Sequence, residues 1–320
     1  MPETALAGRS SAPLPALVVS AGERAGIRFL EFFASAIRNP NTRRAYAHAV
    51  SEFLTWCAQA GVRSITAVQP LHVAAWIEFQ TQALSPPTVK QHLAAIRHLF
   101  DWLMIGQVVP HNPAASVRGP SHSARQGKTT VLDASQARQL LDSIDVSTPI
   151  GLRDRALIAL MVFSFARVGA ALAMRVDDVY VQHRRLWVRL REKGGKRYEM
   201  PCHHTLEAYL HAYLDGAGIA DDAKSPLFRT IQRGTARLSA TVLPQANAYA
   251  MVTRRALAAG LDTKIGNHTF RATGITAYLK NGGTLENAAA MANHASTRTT
   301  QLYDRRHDEI SLDEVERIRV

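Results

Sequence analysis

From Arg118 to Thr130 the chain carries almost no apolar residue, and that gap governs what it can fold into. Gly119, Pro120, Ser121, Ser123, Gly127 and Lys128 leave nothing to bury, so one continuous core cannot run through the segment. The flanking stretches must each build their own core, and in a chain of 320 residues both are long enough to do so. The expected organisation is a leader at 1–22, rich in Ala, Ser and Pro, a domain at 23–117, a basic linker at 118–130 and a second domain at 131–320.

The first domain reads as helical throughout. Thr42 can cap a helix that places Tyr46, Val50, Phe53, Leu54 and Cys57 on one face and ends near Gly61. An amphipathic run follows from Leu71 to Leu84. Ser85, with Pro86 just inside, opens a third helix lined by Val89, Leu93, Ile96, Leu99, Phe100 and Leu103 and stopped at Gly106. In the second domain Asp133 and Gln136 form a capping box. Helices are predicted at 133–144 and 151–166. The only strong strand signal follows, in Val176 to Val181, Leu186 to Leu190 and Tyr198 to Pro201, with Lys193-Gly194-Gly195-Lys196 as the turn between the last two. Helices resume at 204–214, 242–259, 268–280, 284–291, 296–303 and 310–317. The fold class is mainly α with a small antiparallel β-sheet in the C-terminal domain.

Charge points to a polyanionic partner. Lys and Arg number 38 against 26 Asp and Glu, a net charge of +12, and phosphate contacts with counterion release drive nucleic-acid binding by such chains. Cys57 and Cys202 stand far apart in no metal-ligand spacing and read as reduced thiols. The apolar stretch from Ala12 to Ala21 is short and proline-broken, unlike a signal peptide, and nowhere do about 18 apolar residues run together. A cytoplasmic protein is expected, with no membrane partner.

Several residues could do chemistry. His268 and Arg271, three apart on a helix, share a face and could hold a phosphate oxygen and handle a proton at one centre. Arg167 ends a very apolar helix, where a cation needs a carboxylate or a bound phosphate beside it. Lys193 stands at the tip of the predicted hairpin. His294 and Tyr303 close the series, and a tyrosine becomes a useful nucleophile only with cations to receive charge and partners for its proton. Taken singly, each has a plainer reading: a solvated helix end, a structural ion pair, a turn lysine, a half-buried core tyrosine.

Their order and neighbours decide between these readings. Arg167 after an apolar helix, Glu192-Lys193-Gly194-Gly195-Lys196 with Pro201 closing the strand, His268-Thr269-Phe270-Arg271, His294, then Thr299-Thr300-Gln301-Leu302-Tyr303 resemble the catalytic domain of the tyrosine recombinase (phage integrase) family, in its compact Xer-like form. Thr42 to Tyr46, Ile96 to Phe100 and Asn112-Pro113-Ala114 are similar to that family's helical core-binding domain. Three departures stand out. Ala170 occupies a place usually acidic, so that any supporting carboxylate must come from elsewhere, with Asp177 or Asp178 as candidates. Asn293 stands where glycine commonly precedes the histidine, and Arg305 where a histidine often follows the tyrosine.

The resemblance implies a site-specific recombinase acting on double-stranded DNA as a tetramer. Tyr303 would attack a backbone phosphate to give a 3′-phosphotyrosyl link. Arg167, Arg271 and His294 would receive the developing charge, Lys193 would protonate the leaving 5′-oxygen, and His268 would assist proton transfer at the tyrosine. The bond energy stays in the phosphotyrosine, so no cofactor is implied, and no metal-ligand cluster is seen. Arg43, Arg44, Lys90 and Arg97 lie on the helices that would face DNA, as phosphate contacts. The tail from Asp308 to Val320 is amphipathic and suits docking on a neighbouring subunit or on its own domain. A catalytically silent DNA-binding relative and a type IB topoisomerase are the alternatives, disfavoured by the filled set of six chemical positions and by the N-terminal helical module.

Overall fold

The computed structural model describes residues 13–122, 127, 129–192 and 197–304. It divides into two compact units, Met1–Ser123 and Ala124–Val320, each with its own core. Among the described residues no helix is long and apolar enough to cross a membrane.

The first unit is a helical bundle of α1 (Ala16–Val19), α2 (Glu23–Glu31), a π-helical turn at Phe32–Ala36, α3 (Pro40–Gln59), α4 (Pro70–Ala83) and α5 (Pro86–Ile105). Val50, Phe53, Leu54 and Cys57 on α3 face Val89, Leu93, Ile96, Leu99, Phe100 and Leu103 on α5, as the three-and-four spacing predicts. Trp76 of α4 closes the core edge-on to Phe53, with ring centroids 5.1 Å apart. Two expectations are corrected. Part of the stretch read as a leader is packed: Leu17 and Val18 are buried in this core, because one short apolar turn suffices to seal it. The cap of α3 is Asn39 and not Thr42; the Asn39 side chain accepts from the amides of Asn41 and Thr42, and Pro40 fills the first helical position.

The second unit is built on α7 (Pro149–Phe163), which follows α6 (Ala134–Asp142) and its Asp133–Gln136 capping box. Residues Ala156 to Met161 of α7 are buried on every side, so this helix is the axis of the core. After α8 (Val168–Leu172) and a 3₁₀ turn at Val176–Asp178 come β1 (Val179–Gln182), β2 (Arg185–Arg191) and β3 (Arg197–Pro201), in an antiparallel sheet of order β1-β2-β3. Leu186, Val188 and Leu190 point inward by the period of two. α9 (His204–Gly216) follows, then β4 (Arg229–Ile231) and β5 (Leu238–Val242), a hairpin that the sequence pattern did not disclose. Beneath it Asp154, fully buried, sits between Arg153 (2.5 Å) and Arg255 (2.8 Å), while Arg153 donates to the Arg229 carbonyl at 2.7 Å. This charged cluster fixes β4 where hydrophobic alternation does not.

α10 (Gln245–Ala258), α11 (Asn267–Lys280), α12 (Leu285–Met291) and α13 (Thr297–Gln301) complete the described chain. Gly274 lets α11 approach α7, since a Cβ there would lie 2.0 Å from the Val162 carbonyl oxygen. A small satellite core of Phe165, Ile275, Leu279, Ala288 and Ala292 seats α12, with Tyr303 packed at its margin. Burial pushes the free thiols of Cys57 and Cys202 up to about 12, so both stay protonated at neutral pH.

Candidate active site

The site begins where α7 runs out. Phe165 adopts a left-handed conformation (φ 52°) although its ring is buried, and this reversal turns its carbonyl toward α11. Arg167 then takes an extended conformation as N-cap of α8. Its Nη1 meets the Glu192 carboxylate at 2.5 Å.

Arg271, on α11, is only 1 % exposed, and its hydrogen bonds explain how a cation survives there. Nη1 donates to the Phe165 carbonyl and Nη2 to the Ala292 carbonyl. Nη2 also lies 2.6 Å from Nε2 of His294. Burial, and after it the neighbouring Arg167, lower the guanidinium to about 10, against the pull of Tyr303 and Glu192.

The turn after α12 sets His294. The amide of His294 bonds the Ala289 carbonyl and that of Asn293 bonds Ala290, a Schellman arrangement with Asn293 left-handed at φ 48°. Asparagine is the residue after glycine best suited to that conformation, so the departure at Asn293 leaves the turn intact. His294 Nδ1 lies 2.8 Å from the Thr300 hydroxyl. With Arg271 donating to Nε2, the proton of the neutral ring belongs on Nδ1, donated to Thr300. Burial, then Arg271, then Arg167 push the His294 pKa down to about 4, so the ring is neutral at neutral pH.

Tyr303 stacks on His294, with ring centroids 5.7 Å apart and planes at 12°. Its backbone is held at both ends: the amide donates to the Thr300 carbonyl at 2.9 Å, and the carbonyl accepts from the Thr276 hydroxyl at 2.7 Å. His268, exposed in the first turn of α11, has its pKa lowered by desolvation, then by Arg271 and Arg167. Five of the six residues singled out for chemistry thus converge: Arg167, His268, Arg271, His294 and Tyr303. Lys193 lies outside the described residues, as do Arg305 and the tail helix expected at 310–317.

Two helix-borne cations of the first unit are held in place by the fold. Arg43 donates to the Ile37 carbonyl at 3.2 and 2.8 Å, and Arg97 to the carbonyls of Ala114 and Val117. Arg44 and Lys90 are exposed. Neither aspartate expected to compensate for Ala170 does so. Asp177 is exposed, and Asp178, in the 3₁₀ turn before β1, is bonded at 2.9 Å to Arg191 of β2 and at 2.9 Å to the Arg175 amide. The carboxylate at Arg167 is Glu192, which sequence reasoning passed over. Its signal was parity: after Leu186, Val188 and Leu190, position 192 is the next to face inward, and a charge there needs a partner.

A model of the phage integrase family matches residues 130–309, more than half of the chain, and one of the phage integrase N-terminal SAM-like domain matches residues 27–106. The chain belongs to the phage integrase family. Relatives of this family member include the tyrosine recombinase XerD of Corynebacterium glutamicum, 29% identical over 273 residues, covering 82% of this chain and 86% of the relative. XerC of Salmonella typhi is 24% identical over 278 residues, covering 86% and 89%. Among solved structures the fold is similar to that of the XerH site-specific recombinase bound to palindromic difH substrate in a post-cleavage complex (TM-score 0.73, 21% identity, 95% and 96% covered). It is also similar to a lambda integrase tetramer bound to a Holliday junction (TM-score 0.68, 15% identity, 89% and 79% covered).

Proposed function

We propose that this phage integrase family member is a site-specific recombinase that cuts and rejoins double-stranded DNA through a 3′-phosphotyrosyl intermediate, with Tyr303 as nucleophile. The observation that carries the reading is the stack of Tyr303 on His294, itself bonded to a buried Arg271 that lies beside Arg167. A tyrosine at the mouth of two guanidiniums is arranged to attack an anion.

In the proposed reaction the Tyr303 oxygen attacks phosphorus in line as the bond to the 5′-oxygen breaks. Arg167 and Arg271 receive the charge that builds on the non-bridging oxygens. His294 is neutral without DNA, but an entering phosphate supplies the negative charge that raises its pKa, so that Nε2 gives up the bond from Arg271 and becomes a donor to the phosphate. His268, its pKa lowered by desolvation and then by Arg271 and Arg167, takes the Tyr303 proton, and Lys193 gives a proton to the leaving 5′-oxygen. Attack by a 5′-hydroxyl then releases the tyrosine and restores the phosphodiester, so one bond is made for each bond broken. Arg44 and Lys90 contact backbone phosphates. Arg43 and Arg97, both bonded to carbonyls, shape the surface more than they read it. Exchange between two duplexes needs four active sites, hence a homotetramer on DNA in the cytoplasm.

A nicked substrate that traps the covalent complex tests this, with DNA from the locus flanking the coding region as the probe. Wild-type protein gives a protein–DNA band on a denaturing gel, and Tyr303→Phe binds the same DNA without one. A band of equal strength from Tyr303→Phe would remove the tyrosine from the chemistry.

A further inference from the structure

Arg167 stands beside a second cation, Arg271. Its side chain is 38% exposed, so nothing in the packing alone keeps it from swinging to solvent. The first turn of α8 has no acid of its own, and Ala170, three residues on, offers a methyl group. Against this, the Glu192 carboxylate is 6% exposed and 2.5 Å from Nη1. It reaches that place as the inward residue following Leu190, just beyond the end of β2.

We propose that Glu192 is a positioning residue that holds Arg167 at the phosphate site. The inference rests on the recombinase reading given above. Arginine has five N–H donors in a fixed fork, so one bond from Nη1 fixes the plane of the guanidinium while the fork keeps donors for phosphate. One carboxylate thereby sets the group proposed to receive charge on a non-bridging oxygen.

Single-turnover cleavage of the nicked substrate at saturating protein tests the inference. Glu192→Gln keeps the shape and removes the charge. It should slow cleavage by about 100-fold, the scale on which a misplaced group acts, with DNA affinity and thermal midpoint close to wild type. A carboxylate returned from α8 should recover part of the rate, so Glu192→Gln with Ala170→Glu should cleave faster than Glu192→Gln alone. Cleavage by Glu192→Gln within about twofold of wild type would overturn the proposal. So would a slowing accompanied by equal losses of affinity and midpoint, which marks a merely structural ion pair. A wild-type protein that forms no covalent band would remove the recombinase reading and this inference with it, whereas a wild-type band with an unaffected Glu192→Gln removes the inference alone.

Discussion

At the scale of single residues, the site is a set of groups whose charge states are set by burial first and by one another second. His294 is the clearest case, because its depressed pKa is also a statement about stability. Its ordinary pKa is near 6.5, and in the fold it is about 4, first through burial and then through Arg271 and Arg167. The unfolded chain therefore binds the proton more readily than the folded one. The stabilisation is complete above about pH 6.5 and is lost as pH falls through about 4, a loss on the order of 3 kcal/mol at most. Urea unfolding between pH 7 and 4 should show this decline in wild type and a shallower one in His294→Gln. Parallel curves for the two proteins would mean that His294 does not titrate in this way. The sequence carried the residue types of the site, and their order. It did not carry their bonds: Arg271 is held by the carbonyls of Phe165 and Ala292, and a backbone carbonyl leaves no mark in a side-chain pattern.

At the scale of elements, what could be read depended on whether hydrophobic periodicity or something else fixed the element. α3, α5, α7 and the β1-β2-β3 sheet follow apolar spacing, and their places agree with the spacing to within a few residues. The β4–β5 hairpin is short, largely exposed and fixed by Arg153, Asp154 and Arg229, so its strands have no alternation to find. The turn after α12 lies between these cases. Asn293 looked like a departure in a list of residues, yet its left-handed backbone is what the turn requires. Asn293→Gly should be close to neutral, because glycine enters that region freely. Asn293→Val should destabilise by roughly 1–2 kcal/mol, the cost of a β-branched residue in a left-handed conformation. It should also slow cleavage, because the same turn presents the Ala292 carbonyl to Arg271 and the His294 ring to Tyr303. Thermal midpoints beside single-turnover rates check both; equal stability for the two variants would refute the role given to the turn.

At the scale of the whole molecule, the net charge of +12 pointed to a polyanionic partner but could not say which cations meet it. Position on a helix did not decide it either, since Arg43, Arg44, Lys90 and Arg97 looked equivalent in sequence. The structure separates them by occupation. Arg44 and Lys90 are exposed, whereas Arg97 bonds the Ala114 and Val117 carbonyls, and both of those residues are buried. An arginine so placed is part of the fold: Arg97→Gln leaves carbonyls without their donors and should cost about 1–3 kcal/mol in unfolding free energy. A phosphate contact instead shows itself through salt, because each neutralised phosphate releases counterions and adds about 0.9 to the slope of log affinity against log salt concentration. Arg44→Gln and Lys90→Gln should each flatten that slope by about 0.9 with stability unchanged. Arg97→Gln should lower stability and leave the slope as it is for the protein that remains folded. A slope that flattens for Arg97→Gln alone would place the DNA-facing charge at Arg97 itself, and the exposed Arg44 and Lys90 would then have to face elsewhere.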